Sequence, residues 1–323
     1  MKKVIYCLLS KIVLLALLAS FVGCAGRAAY PLATAKMRFK VATTTSLYDT
    51  GLWAFLEPKF EEKYKDYKAE EQEIPRVGIE LDIVYAGTGA ALNQGKSGNV
   101  DVVAVHDPDQ EKTFVSDNYG IDKRSFAYNF FMIAGPSSDP AGIKGLDLAD
   151  AFKKIAEGGM KDPDKIKFVS RGDNSGTHGA EKRLWAAAGY VYADIEKSGK
   201  WYIEAGQGMG PTLVMANELN AYVLCDGGTF TVLQGRLTLV PLVKKIAAET
   251  LNVYNVYAIN PDKIKTAKIA IAKEFINWLI SLDVQKMIGE YGVKEFGGPL
   301  FYPIGDTTYP AIPNLTDNMK PVQ

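Results

Sequence analysis

Histidine is nearly missing from this chain: His106 and His178 are the only 2 among 323 residues. With no set of His or Cys at metal-ligand spacing, a zinc enzyme is not expected, because zinc sites need such ligands close together. Cysteine is also scarce. Of the 3 present, only Cys225 lies beyond Cys24, so no intramolecular disulfide framework is available even where the compartment would permit one. Stability must come from a buried core, and Cys225 reads as a small hydrophobe inside it. No excess of positive charge exists, since Lys plus Arg and Asp plus Glu each total 37. Without a long basic run either, nucleic acid is excluded as an expected partner. No Gly-x-Ser-x-Gly elbow, internal repeat or low-complexity tract occurs.

The N-terminus carries a processing pattern rather than structure. Lys2 and Lys3 precede the apolar run Ile12 to Val22, which falls short of the roughly 20 residues that span a bilayer. Gly23-Cys24 follows it and resembles the lipobox of bacterial lipoprotein signals, with Phe21 where leucine is usual. Residues 1–24 are therefore expected to be a signal peptide, Cys24 the lipidated N-terminus, and 25–36 a tether. The protein is expected to be exported and membrane-anchored.

Beyond the tether, strand and helix patterns alternate. Met37 to Ala42 sets Met37, Phe39 and Val41 against Arg38 and Lys40, the period of a strand with one buried face. Leu52 to Tyr64 has helical periodicity with Pro58 inside it and Asp49 or Thr50 as cap. Strands are expected at Ile79 to Tyr85, Val100 to Val105, Tyr128 to Ala134, Ile166 to Ser170, Ala221 to Cys225 and Val253 to Ile259. Helices are expected at Gly89 to Gln94, Leu148 to Ala156, Thr177 to Ala188, Pro211 to Asn217 and Ala267 to Leu282. The β-α-β order favours mostly parallel sheets flanked by helices. Trp185, Trp201 and Trp278 read as core, and the charged stretch Lys65 to Arg76 as a surface insertion.

Three segments share one design, in which a strand runs into small polar residues and a helix begins. They are Thr43-Thr44-Thr45-Ser46, Gly87-Thr88-Gly89, and Arg171-Gly172-Asp173-Asn174-Ser175-Gly176-Thr177. Helix N-termini expose unpaired N–H groups with partial positive charge, so they bind anions. Hydroxyls add rotatable donors, and Arg171 adds a planar fork suited to an oxyanion. Taken singly, Ser and Thr are ordinary caps and Gly an ordinary turn residue. Four consecutive hydroxyls exceed what one cap uses. Arg124 is placed at the crossover into the Tyr128 strand, within reach of the cleft or on the surface. His106 and His178 read as structural.

The strings Ala42-Thr43-Thr44-Thr45-Ser46 with Asp49-Thr50-Gly51-Leu52, Gly87-Thr88-Gly89, and Ser170-Arg171-Gly172-Asp173 with Ser175-Gly176-Thr177-His178 resemble the tungstate-binding components of bacterial and archaeal ABC importers. Val105-His106, Tyr128-Asn129, Gly135-Pro136 and Asp139-Pro140-Ala141-Gly142-Ile143 extend the resemblance over nearly all of the exported chain. It implies an α/β protein of two lobes that close on an oxyanion, and the two strand-helix blocks joined by extended segments place lobe I at 37–127 and 256–323 and lobe II at 128–255. It implies tungstate as ligand, a transporter permease as partner, a monomer, no cofactor and no catalysis. By position it assigns Thr44, Thr45 and Ser46 to one lobe and Arg171, Ser175, Gly176 and Thr177 to the other, with Thr88 and Arg124 as additions. The family often has Asp-Arg-Gly-Thr where Asp226-Gly227-Gly228-Thr229 stands here, so that arginine is missing.

Other readings of the same motifs are a binding protein for molybdate, sulfate or phosphate, an oxyanion-sensing domain, and a hydrolase. The last would pair Ser175 or Ser46 with His178 or His106. Spacing opposes it, since Ser175 and His178 share one helical turn and no nucleophile elbow is present.

Overall fold

The computed structural model describes residues 36–68, 77–305 and 316–323. The signal, Cys24, the tether up to residue 35 and residues 69–76 of the insertion lie outside them. By its contacts the chain divides into two units. In one, drawn from Met1–Met37 and Lys65–Ile79, the described residues include an antiparallel bridge between Lys68 and Val77. The other, Arg38–Tyr64 with Glu80–Gln323, holds the elements that follow except for Met37 and Ile79, the first residues of two strands.

In chain order the elements are β1 (Met37–Thr44), α1 (Thr45–Asp49), α2 (Leu52–Lys63), β2 (Ile79–Ala86), α3 (Thr88–Lys96), β3 (Val102–Val105), α4 (Pro108–Ser116) and β4 (Gly120–Gly135). Then come α5 (Leu148–Lys161), β5 (Phe168–Ser170), α6 (Gly176–Ala187), α7 (Tyr192–Ile195), β6 (Tyr202–Glu204), α8 (Met209–Glu218), β7 (Tyr222–Asp226) and α9 (Gly227–Leu233). The last are β8 (Val240–Lys244), β9 (Leu251–Ile259), α10 (Ile269–Leu279), α11 (Leu282–Glu290) and α12 (Val293–Phe296).

Strand order is β2-β1-β3-β9-β4-β7-β5-β6, with β8 also on β4. The pairs β1/β3, β5/β7 and β5/β6 are parallel, as the alternation of strands and helices predicts. Between them β9 and β4 run antiparallel to their neighbours. β4 is far longer than its apolar stretch suggests. Its first part, Gly120 to Phe130, pairs with β9, and its last part, Phe131 to Gly135, with β7 and β8. One strand thus serves both halves of the sheet, with helices on its faces.

Each half has its own apolar packing. Ala42, Leu92, Val103, Val105, Phe114 and Ile259 form one cluster around β1, β3 and β9. Around β5 and β7, Phe152, Phe168, Trp185 and Trp201 form another. Trp278 packs edge-on to Phe60 in the first half, with ring centroids 5.1 Å apart. The expected helix Ala267 to Leu282 is two helices. Ser281 breaks it by donating its hydroxyl to Trp278 O at 2.7 Å, a local bond that competes with helix continuation. Neither Asp49 nor Thr50 caps α2: its N-cap is Gly51 in the left-handed region, φ 76°. The Thr50 hydroxyl is turned back onto Ser46 O, at 2.8 Å.

Candidate functional site

The run of four hydroxyls divides between β1 and α1. Thr43 points into the core, where its Oγ1 accepts from Trp53 Nε1 at 2.7 Å, so it is spent on structure. Thr44 stands at the N-cap of α1 with extended φ of −96° and makes no capping bond with its side chain. Its hydroxyl lies 3.3 Å from Ser46 Oγ. Ser46, 1% exposed, also accepts from Tyr254 OH at 3.1 Å. Thr45 packs against Gly208 at the start of α8.

At the second junction Thr88 opens α3 and is fully buried, and its Oγ1 has no hydrogen-bond partner. At the third, Ser175 caps α6 by accepting from His178 N at 3.2 Å. Thr177 follows it, buried, with its Oγ1 also unpartnered. Arg171 is 2% exposed. Its Nη2 donates to Asp173 Oδ2, while its Nε has no partner. Buried donors left unpaired are costly. These three are donors at the strand-to-helix junctions that sequence singles out for anion binding.

The junctions meet one another. Gly87 approaches the third loop so closely that a Cβ would stand 3.2 Å from Asp173 O and 3.4 Å from Ser175 Cα. Gly89 N donates to Asn174 O at 3.3 Å, and Gln110 Nε2 donates to the same oxygen at 3.0 Å. Gly176 lies flat on the His106 ring, with room for a Cβ only 2.6 Å from its Cε1. His106 Nδ1 is 2.8 Å from Asn252 Oδ1, Asn252 Nδ2 donates to Tyr254 OH at 2.9 Å, and Tyr254 reaches Ser46. Residues from 44 to 46, 87 to 89 and 171 to 177 therefore belong to one neighbourhood.

Burial dominates the electrostatics there. It lowers His106 to about 4 against the opposing pull of the Asp226 carboxylate. His178 is likewise lowered to about 4, by burial and then by Lys182. Both rings are neutral at pH 7, so Arg171 supplies the fixed positive charge of these motifs. Burial also raises Asp49, with Asp226 adding to the effect and Arg171 opposing it.

His178 is no base for Ser175. Its Nδ1 accepts from Asn174 N at 3.0 Å, and Nε2 meets Tyr192 OH at 2.6 Å. Both ring nitrogens are thus used to hold the loop. Arg124 lies elsewhere. Its Nε and Nη2 donate to Lys320 O at 2.6 Å and Pro321 O at 3.1 Å, and its Nη1 to Lys123 O at 2.7 Å. It fastens the C-terminal segment, because carbonyls of that segment lie where its fork ends. Cys225 is wholly buried. A hollow of 650 Å³ beside Asp49 is walled by Gln207, Pro211, Val214, Met215 and Leu233, and this largely apolar lining offers an oxyanion little.

Asn129 and Asp226 enter the sequence reading only as parts of family strings, and Asn252 and Tyr254 not at all, though all four are buried beside the site. A signal existed: Asn252 and Tyr254 lie two apart on a buried strand and so share a face.

The PBP superfamily domain matches residues 29–283. The tungstate-binding protein TupA of Peptoclostridium acidaminophilum is 40% identical over 272 residues, covering 83% of this chain and 86% of that protein. The chain belongs to the tungstate-binding protein family of the PBP superfamily. Another relative of this family member, a putative ABC transporter anion-binding protein of Haloferax volcanii, is 39% identical over 81% of this chain and 71% of its own. The structure of the tungstate ABC transporter from Geobacter sulfurreducens is 39% identical and superposes with a TM-score of 0.66. It covers 80% of this chain and 100% of its own. The family assignment carries with it a periplasmic-binding-protein-like α/β fold and a solute-binding role.

Proposed function

We propose that this family member is an exported solute-binding lipoprotein that captures tungstate and delivers it, as a monomer, to the permease of an ABC importer. The observation that carries this reading is the set of buried, unpartnered donors Thr88 Oγ1, Arg171 Nε and Thr177 Oγ1, at junctions that meet. A fully deprotonated oxyanion offers acceptors only, so it complements a pocket of donors and satisfies atoms otherwise left bare. Thr44, Thr45, Ser46, Ser175 and the N-terminal N–H groups at Gly176 and Thr177 complete the donor set. The occupied ring nitrogens of His178 support binding without catalysis.

Two lobes, 37–127 with 256–323 and 128–255, supply these groups, and closing one on the other assembles the site. Names of the relatives support tungstate over sulfate or phosphate. Calorimetric titration with tungstate, molybdate, sulfate and phosphate tests the reading. Tungstate is expected to bind most tightly, and tighter binding of sulfate or phosphate would overturn it. Anchoring is tested by Cys24→Ser, which is expected to release the protein from the membrane fraction.

A further inference from the structure

A buried polar chain crosses the β4/β9 pairing and ends on a site hydroxyl. At its far end Asp226 Oδ1 accepts from Asn129 Nδ2 at 3.0 Å and from Thr229 N at 2.9 Å. Its Oδ2 accepts from Thr229 Oγ1 at 2.7 Å. A carboxylate is an acceptor, so Asn129 turns its amino group to Asp226 and its carbonyl to Asn252. Asn252 Nδ2 donates to that carbonyl at 2.8 Å and to Tyr254 OH at 2.9 Å. Its own Oδ1 then faces His106 Nδ1, at 2.8 Å, which must carry the hydrogen. Tyr254 has one hydrogen, and it goes to Ser46 Oγ at 3.1 Å. Every amide orientation in the chain follows from the polarity of Asp226.

The consequence falls on Ser46. It accepts from Tyr254 on one of its two lone pairs, so its own hydrogen is not given to Tyr254 and points toward Thr44 Oγ1, 3.3 Å away, or toward the ligand. We propose that Asp226, Asn129, Asn252 and Tyr254 are positioning residues whose hydrogen-bond polarity makes Tyr254 a donor to Ser46 and so directs the Ser46 hydroxyl hydrogen to the bound anion. This rests on the reading that Ser46 faces the anion. With Tyr254 committed as a donor to Ser46, the Ser46 hydrogen is not spent on Tyr254.

The test is a double-mutant cycle of Ser46→Ala and Tyr254→Phe, joined by Asp226→Asn, with tungstate titrated at pH 7.5 and thermal melting as the check on folding. Ser46→Ala is expected to weaken tungstate binding about tenfold or more, as for a hydrogen bond to a charged group. Tyr254→Phe keeps the ring. It is expected to weaken tungstate about threefold to tenfold and to add nothing in the Ser46→Ala background, because its effect passes through that hydroxyl. Asp226→Asn keeps the shape and a competent helix cap but lets Asn129 reverse, so tungstate binding is expected to weaken again and the Ser46→Ala background to absorb the loss. It carries the test if Tyr254→Phe does not fold. Unchanged tungstate binding in Ser46→Ala overturns the site reading together with the relay. A weakened Ser46→Ala, with Tyr254→Phe costing the same in both backgrounds, overturns the relay alone.

Discussion

Arg171 carries five N–H donors in a rigid fork. One serves Asp173, and Nε, buried, serves nothing in the protein, so shaping the loop and holding an anion are compatible tasks for this side chain. Arg171→Ala is expected to weaken tungstate binding between roughly tenfold and several thousandfold, the loss of one or two charged hydrogen bonds. Arg171→Lys keeps the charge without the fork and is expected to fall between. A calorimetric titration checks both, and an affinity within roughly threefold of wild type in the alanine variant would remove Arg171 from the ligand set.

Glu181 poses a separate question of stability. Burial raises it to about 7 although Ser170, Trp185 and Tyr202 all donate to it. An unfolded glutamate releases its proton near 4.5. Stability from this group is thus fully present below pH 4.5 and lost as pH rises through about 7, on the order of 3 kcal/mol over the window. His106 and His178 act in the opposite sense. Ordinary imidazole at 6.5 drops to about 4 in the fold, so their contribution is present above pH 6.5 and lost as pH falls through about 4. Denaturant melts between pH 5 and 8 are expected to show Glu181→Gln losing less stability than wild type toward the alkaline end.

At the scale of elements, the N-terminus of α6 is set by what it rests on. Gly176 lies on the His106 ring with no space for a methyl group, and Ser175 closes the first turn with its own hydroxyl. Gly176→Ala forces the helix start away from the ring, an overpacking that costs about 1–3 kcal/mol where it is fully resisted. Tungstate affinity is expected to fall roughly tenfold or more with the secondary structure kept, as read by titration beside circular dichroism. α4 shows how a legible signal passes unread. Asp107 accepts from Asp109 N at 3.0 Å and Gln110 N at 3.3 Å, with Pro108 in the first turn, a start pattern visible in the sequence. The helix was not foreseen because its apolar face is short: only Phe114 among its hydrophobic residues is buried.

For the whole molecule, the proposed lobes share β4 and β9, so any closing motion bends a pair of strands rather than a loose linker. The contacts of Gly87 and Gly89 with residues 173 to 175 are those a closed site needs. Ligand that binds the closed form shifts the population toward it. Small-angle scattering is expected to give a smaller radius of gyration with tungstate than without, and tight binding with an unchanged radius would mean that the free protein is already closed.

Local pattern by itself determined most elements and the junctions. Period-two burial marked β1, tryptophans marked the core, and strand-to-helix turns rich in Ser, Thr and Gly marked 44 to 46, 87 to 89 and 171 to 177, because strand period, capping and turn chemistry act over a few residues. Tertiary structure alone decided which members of those turns remain available. Thr43 goes to Trp53 and Ser175 to the α6 cap, Arg124 goes to the C-terminal carbonyls, and Thr88, Thr177 and Arg171 Nε are left bare. It also decided the neighbours of Ser46, since Tyr254 lies 208 residues away in the chain. Partnership over such a distance depends on the register of β9 against β3 and of β3 against β1, and register is a property of the assembled sheet, not of any segment read alone.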